Sequence, residues 1–232
     1  LLSERHEAWE HVARKLAHEI KNPLTPIQLT IDRLKNKYEK SIASNEAENF
    51  NNYLKTIIKQ IKQIENLVNE FSDFARMPKP IFNNNKIVEI INSNILLLKE
   101  IDKSISINFN HEKENLLIRC DPEQISRVFF NLIKNSIESI QEKSKKNGDF
   151  AKIIDIEIID KNDYITLNIT DNGTGFSKDI IKNITKPYFT TKPKGSGLGL
   201  SIVNKIINDH NGSIKFNSNK NDAKVEIILP KN

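Results

Sequence analysis

The chain has 232 residues, 38% of them hydrophobic and 28% charged, which suits one large folded domain or two small ones. Against 30 Asp and Glu stand 35 Lys and Arg, a formal +5; the excess is spread along the chain and not interleaved with aromatics, which argues against a nucleic-acid partner and leaves a polyanionic small ligand open. The single cysteine, Cys120, excludes a disulfide framework within the chain and fits a reducing compartment, and no apolar run approaches the ~20 residues that cross a bilayer.

No signal peptide opens the chain. Leu1 carries no initiator methionine before it and helical patterning begins at once, so a fragment with an upstream part missing is expected. Apolar positions then fall at Trp9, Ala13, Leu16, Ile20, Leu24, Ile27, Ile31, Leu34 and Tyr38. This is a heptad seam with one extra four-residue step between Ile20 and Leu24, the mark of a stutter. Pro23 lies inside that step, removes a backbone donor, and predicts a kink. His18 lies about 200° around the helix from both Leu16 and Ile20 and points to water. Asn22 and Thr25 follow on the same face, and Glu19 is its neighbour.

Residues 41–46 read as a turn, with Ser44 or Asn45 able to cap the next helix. A second seam follows at Phe50, Leu54, Ile57, Ile61, Ile64, Val68, Phe71 and Ala75. Two heptad helices joined by a short turn form an antiparallel hairpin. Its apolar seams exceed what one hairpin can cover, so a two-fold homodimer forming a four-helix bundle is expected. Met77-Pro78-Lys79-Pro80 ends the second helix and divides the chain into a hairpin domain, 1–77, and a second domain, 78–232.

Beyond the boundary, Ile87–Lys99 reads as helix, and Ile105–Phe109 and Leu116–Cys120 as strands, with Cys120 a buried strand residue. Asp121-Pro122 starts a helix running to about Gln141, with Asp as N-cap and Pro in the first turn. Ile153–Ile159 and Tyr164–Ile169 alternate as strands, Gly197–His210 is helical, and Gly212–Phe216 and Val225–Leu229 are strands. Strands and helices mix without strict alternation, predicting a mixed sheet covered by helices on one face, an α+β sandwich.

Three stretches of this domain carry candidate chemistry. Asp171-Asn172-Gly173-Thr174-Gly175-Phe176 follows a strand; its aspartate can accept from an exocyclic amine such as that of adenine, although an ordinary turn has the same composition. Lys194-Gly195-Ser196-Gly197-Leu198-Gly199-Leu200 opens a helix, where backbone N–H groups suit a phosphate chain. It is neither a dinucleotide fingerprint nor a Walker A loop, and the apolar helix that follows argues against a linker. Between them, 186–193 reads as a polar flap whose Lys192, with Lys194, could reach phosphates or simply be solvated. Asn131 and Asn135 share one face of the preceding helix, and an amide oxygen is a proper Mg²⁺ ligand.

Together the motifs identify a resemblance to the catalytic core of two-component sensor histidine kinases. His18-Glu19-Ile20-Lys21-Asn22-Pro23-Leu24 resembles the family's H box, Asn131–Asn135 its N box, Asp171–Gly175 its G1 box, Pro187-Tyr188-Phe189 its F box and Gly195–Leu200 its G2 box, in the family's order. Residues 17–29 and 71–78 are similar to the nitrogen-regulation sensors of the NtrY group. The resemblance implies a dimerisation and phosphotransfer hairpin followed by a GHKL-type ATP-binding α/β sandwich. It implies Mg-ATP as cofactor, with Asn131, Asn135, Asp171, Gly173, Gly175, Phe189, Thr190, Lys192, Gly195, Ser196, Gly197, Leu198 and Gly199 around the nucleotide and Asn135 on the metal. Many members carry a lysine three residues after that asparagine, then an aromatic that lies over adenine. Here Glu138 and Ser139 stand at those positions, and Lys134, Lys192 or Lys194 are the substitutes on offer.

The implied activity is attack of His18 on the γ-phosphate, with Glu19 as base. Transfer to an aspartate of a response-regulator receiver domain follows, and Asn22 orients a water that dephosphorylates that regulator. A cytoplasmic location for this portion, within a parent protein anchored in the cell inner membrane, completes the expectation. Two other readings share part of the motif set. GHKL ATPases of the chaperone and topoisomerase kind lack the preceding His-bearing hairpin, and a nucleotide-regulated dimeric scaffold draws support only from Glu138 and Ser139.

Overall fold

A computed structural model describes residues 2–39, 41–42, 44–75, 77–192, 195–219 and 222–232, without the side chains of 2–11, 13–14, 44–45, 178 and 219. The expected seam residues Trp9 and Ala13, the caps Ser44 or Asn45 and the flap residue Lys194 lie outside the described side chains. The chain divides into two compact units, 1–78 with 192–196, and 79–191 with 197–232. No helix among the described residues is long and apolar enough to cross a membrane.

The first unit is a helical hairpin of α1 (Leu2–Tyr38) and α2 (Ser44–Ala75). The kink expected at Pro23 falls within a continuous helix: α1 runs on through Pro23 and Pro26. Each proline lacks the N–H that would reach back four residues, so the carbonyls of Glu19 and Asn22 lose their intrahelical donors while the helix continues. The apolar seam separates into two rows. Ala17, Leu24 and Ile31 face Leu54, Ile61, Val68 and Ala75, each row at seven-residue steps, around a small core of Ile31, Leu54 and Ile61. Counted with Ala17, the row has no extra step at Pro23. The second row, Ile20, Ile27 and Leu34 on α1 with Ile57 and Ile64 on α2, stays exposed.

The second unit is a mixed sheet with helices on one face, as the irregular alternation predicts. Its elements are β1 (Asn83–Lys86), α3 (Ile87–Lys99), β2 (Ser106–His111), β3 (Leu117–Cys120), α4 (Pro122–Asn147), β4 (Ile153–Asp160), β5 (Tyr164–Asp171), α5 (Lys178–Ile181), α6 (Gly199–Asp209), β6 (Ser213–Asn219) and β7 (Asp222–Pro230). The main sheet has the order β2-β4-β5-β7-β6, with β2 and β4 parallel and the other pairs antiparallel. Alternate residues of β4, β5 and β7 (Ile156, Leu167 and Ile227 among them) point into the core, where Phe129 and Ile133 of α4 and Val203 of α6 are also buried.

Local chemistry sets the element ends. Asp121 caps α4, accepting from the backbone N–H of Glu123 and Gln124 at 3.1 Å each. The same carboxylate accepts from Ile81 N at 2.8 Å, and the Asp121 N–H donates to His210 Nε2 at 3.0 Å. His210 Nδ1, the protonated nitrogen in this tautomer, donates to the Ile206 carbonyl at 2.8 Å. One aspartate thus ties the start of α4 to the end of α6. Helix α4 outruns the expected end at Gln141 because 142–147 contains no breaker and Glu142 pairs with Lys146 one turn on; Gly148, at φ 78°, ends it. Strand β1 escaped the pattern because Asn83-Asn84-Asn85-Lys86 has no apolar alternation; it pairs antiparallel with β3.

Candidate active site

In the helical unit His18, Glu19, Asn22 and Thr25 are all exposed on α1. His18 and Asn22 are one turn apart and share a face, with Thr25 a further turn along. An imidazole, a carboxylate and an amide therefore lie along one stretch of α1 in contact with water, beside the two carbonyls that the prolines leave without helical donors.

In the second unit the end of β5 carries a buried polar group. Strand β5 extends two residues beyond its expected end, so Asp171 is still paired in register between Ile154 and Ala223. Its carboxylate is buried. Oδ2 accepts from Ser136 Oγ at 2.8 Å and Oδ1 from Gly173 N at 3.0 Å. Burial raises the Asp171 carboxyl above its ordinary range, and the hydrogen bonds from Ser136, Gly173 N and Ser139 pull it back. Gly173 fits because it has no side chain: a Cβ there would strike Ser139 Oγ and come 2.8 Å from Asp171 Oδ1. Asn172 fastens the turn to β4, accepting from Ile153 N at 3.0 Å and donating to the Ala151 carbonyl at 2.6 Å.

Helix α4 carries the two predicted asparagines. Asn131 donates through Nδ2 to the Arg127 carbonyl at 2.8 Å, which turns its Oδ1 outward. That oxygen faces the start of α6, where a Cβ on Gly199 would sit 3.0 Å from it. Asn135 is half-buried one turn further along α4. Gly197 takes φ 73°, so α6 begins at Gly199, two residues later than expected. A Cβ on Gly197 would collide with the Tyr188 carbonyl carbon and lie 2.8 Å from Phe189 N. Tyr188 itself has φ 65°, an uncommon conformation for a bulky residue, in a loop closed from Phe189 N to the Lys186 carbonyl at 3.2 Å.

Leu198 is wholly buried, Gly175 takes φ 70°, Phe189 is half-buried and Thr190 is exposed. Lys192 accepts through its carbonyl from Gly195 N at 3.1 Å, and Ser196 is half-buried. Helix α4 thus touches both predicted glycine stretches, through Asn131 at the start of α6 and through Ser136 and Ser139 at the end of β5. Three contributors were not anticipated, namely Ser136 and Ser139 as hydrogen-bonding groups and Lys143, which donates to the Asn172 carbonyl at 2.7 Å. Their spacing on one helix was legible; their partner, a turn 28 or more residues away, was not.

Residues 8–80 match the His Kinase A (phospho-acceptor) domain, and residues 120–232 match the histidine kinase-, DNA gyrase B- and HSP90-like ATPase family. The chain is 40% identical over 212 residues to an NtrY-like sensor histidine kinase of Rickettsia conorii, covering 91% of this chain and 34% of that protein. It is 36% identical over 215 residues to the nitrogen regulation protein NtrY of Azorhizobium caulinodans, covering 93% of this chain and 28% of that one. It therefore spans about a third of the length of these relatives. Among solved structures, histidine kinase ThkA in complex with the response regulator protein TrrA superimposes with a TM-score of 0.67 at 26% identity, over 99% of this chain and 64% of that one. Full-length ShkA has the same fold, with a TM-score of 0.73 at 18% identity over 95% of this chain and 45% of that one. A phospho-acceptor hairpin domain followed by an ATPase-type domain, in a chain this similar to sensor kinases, places the protein in the histidine kinase family.

Proposed function

We propose that this chain phosphorylates its own His18 from ATP and passes the phosphoryl group to an aspartate of a response-regulator receiver domain. Residues 1–77 serve as the dimerisation and phosphotransfer unit and 78–232 as the ATP-binding unit. The observation that carries the reading is the exposed His18-Glu19-x-x-Asn22 strip on a helical hairpin, in one chain with an ATPase-type domain whose α4 touches both the Asp171 turn and the glycines that open α6.

One ring nitrogen of His18 attacks the γ-phosphorus; the N–P bond forms as the bond to the bridging oxygen breaks, and that electron pair leaves with ADP. Glu19 takes the proton from the other ring nitrogen and keeps the imidazole nucleophilic. Asp171 accepts from the exocyclic amine of adenine, and the backbone N–H groups at the start of α6 hold the phosphates beside its positive end. Thr190, Lys192, Gly195 and Ser196 belong to the segment that covers the nucleotide. Most of the acceleration comes from holding the γ-phosphate in line with the ring. Asn22 orients a water for hydrolysis of the phosphorylated regulator.

The fit to Mg²⁺ is chemical. Among the described residues no group of three His, Cys, Asp or Glu could hold a metal alone, whereas Asn135 carries a hard amide oxygen one turn along α4 from Asn131, whose own oxygen faces Gly199. Asn135 would hold Mg²⁺, which would supply neutralisation of phosphate charge. The exposed row of Ile20, Ile27, Leu34, Ile57 and Ile64 supports a homodimer whose four helices bury it. The response-regulator partner is supported by the likeness to ThkA, solved with TrrA. Kinship with the sensor kinases supports the reading that this portion lies in the cytoplasm and the whole protein in the inner membrane, which fractionation of the full-length protein tests.

Incubation with γ-labelled ATP and Mg²⁺ tests the central claim. Label on the protein that is acid-labile, base-stable and absent from His18→Ala is expected. Free phosphate without labelled protein would instead mean a simple ATPase, and neither product a nucleotide-regulated scaffold.

A further inference from the structure

Ser139 stands where the resemblance leads one to expect an aromatic over the base, and the structure gives it a different occupation. Its Oγ accepts from Thr174 N at 3.0 Å and shares a hydrogen bond with Thr174 Oγ1 at 3.2 Å. Its small side chain leaves the room in which Gly173 sits flush against α4. One turn before it, Ser136 holds Asp171 Oδ2, and one turn after it, Lys143 holds the Asn172 carbonyl. Three residues along a single face of α4 (136, 139 and 143) therefore clamp the turn 171–174 at Asp171, Thr174 and Asn172 respectively, and Ser139 is the middle member of the three. With Ser136 and Gly173 N each occupying one carboxylate oxygen, the remaining lone pairs of Asp171 are aimed by the turn and not by the side chain's own rotation.

We infer that Ser139 is a positioning residue that sets the base selectivity of the nucleotide site, by fixing the Asp171–Thr174 turn against α4. The inference rests on the ATP-binding reading above and deepens it. An aimed carboxylate favours a base that offers an amine and disfavours one that offers a carbonyl oxygen at the same place, so a fixed turn separates ATP from GTP. A loosened turn lets the carboxylate move away from the wrong base and loses its alignment with the right one. Phosphate contacts lie elsewhere, at Gly197–Gly199, so the chemical step at saturating ATP is untouched.

The test uses the full chain with Ser139→Ala and Ser139→Thr, measuring equilibrium binding of ATP and of GTP, KM and kcat for His18 phosphorylation, and the melting temperature. Ser139 is half-exposed on a helix, and alanine is the better helix former there, so the variant folds. Ser139→Ala, which removes both contacts to Thr174, is expected to weaken ATP by about five- to tenfold. It should raise KM to match, leave kcat unchanged and narrow the preference for ATP over GTP. Ser139→Thr, which keeps the hydroxyl, should restore both affinity and preference. Unchanged ATP and GTP affinities in Ser139→Ala overturn the inference, and so does an equal weakening of both nucleotides. Failure of the unaltered protein to bind ATP overturns the functional reading and this inference with it.

Discussion

Asp171 is the residue on which sequence and structure meet most closely. Its buried carboxylate accepts from Ser136 and Gly173 and keeps acceptor capacity for a base. In Asp171→Asn the oxygen stays with Gly173 N, the Ser136 hydroxyl can rotate to accept, and the remaining amide hydrogen faces the base. Affinity for ATP should fall at least about tenfold while GTP gains relative to it, because a donor then faces adenine's amine; nucleotide titration checks this. Cys120 is a residue of the opposite kind. It is buried in β3, and burial pushes its thiol up to about 11, with hydrogen bonding from Asn85 opposing. Thiolate is therefore scarce at neutral pH, so a thiol reagent should modify folded protein slowly and unfolded protein fast. Rapid modification at pH 8 without denaturant would contradict the burial.

At the scale of elements, the hairpin shows how a heptad pattern can be right in period and incomplete in meaning. Ile31 and Ile61 are each 5% exposed, whereas Ile27 and Ile64, four and three residues away from them, are 45% and 43% exposed. The first row holds the two helices together; the second faces outward. Ile61→Ala should cost about 2–4 kcal/mol as a cavity opens. Ile27→Asp should leave the hairpin helical but convert dimer to monomer in sedimentation, because it sets a charge in a row that only a second copy covers. A dimer that survives Ile27→Asp would remove the four-helix reading. In the other unit, Gly197 and Gly199 work by lacking side chains, one against the Tyr188–Phe189 backbone and the other against Asn131. The alternation of glycines before α6 is thus a packing requirement as much as a phosphate motif.

At the scale of the whole molecule, stability has an acid limb with a nameable origin. Asp160, at the end of β4, accepts from Lys113 at 2.7 Å and pairs with Lys231 beyond β7, binding a loop and the chain's last residues to the central sheet. The hydrogen bonds from Lys113 and Lys231, with their charges, hold its carboxyl below the ordinary carboxylate range. A carboxyl depressed by folding contributes stability above its unfolded value near ~3.9 and loses it as pH falls through the folded value. Asp160→Asn should therefore lower the melting temperature at pH 7, and the difference from the unaltered chain should begin to shrink below about pH 4 and vanish only once pH has passed below the folded value. A difference that persists at pH 2 would assign the effect to packing instead.

The sequence by itself determined the local features: two heptad helices, the Asp121-Pro122 helix start, the alternating strands, the glycine clusters and the order of the motifs. These depend on contacts within one or two turns, where period, capping and φ restriction act on near neighbours. Their order in the chain was enough to mark the histidine kinase resemblance. What only the tertiary structure decided depends on partners far apart in the chain. It divided the hairpin seam into a covered and an open row, and paired the Asn-rich β1 with β3. It gave Asp121 to His210 and put Ser136, Ser139 and Lys143 to work on a turn whose sequence shows only that it is a turn. A helix face states which residues will stand together; which surface they meet is settled by the closure of the sheet and the packing of α4 across it.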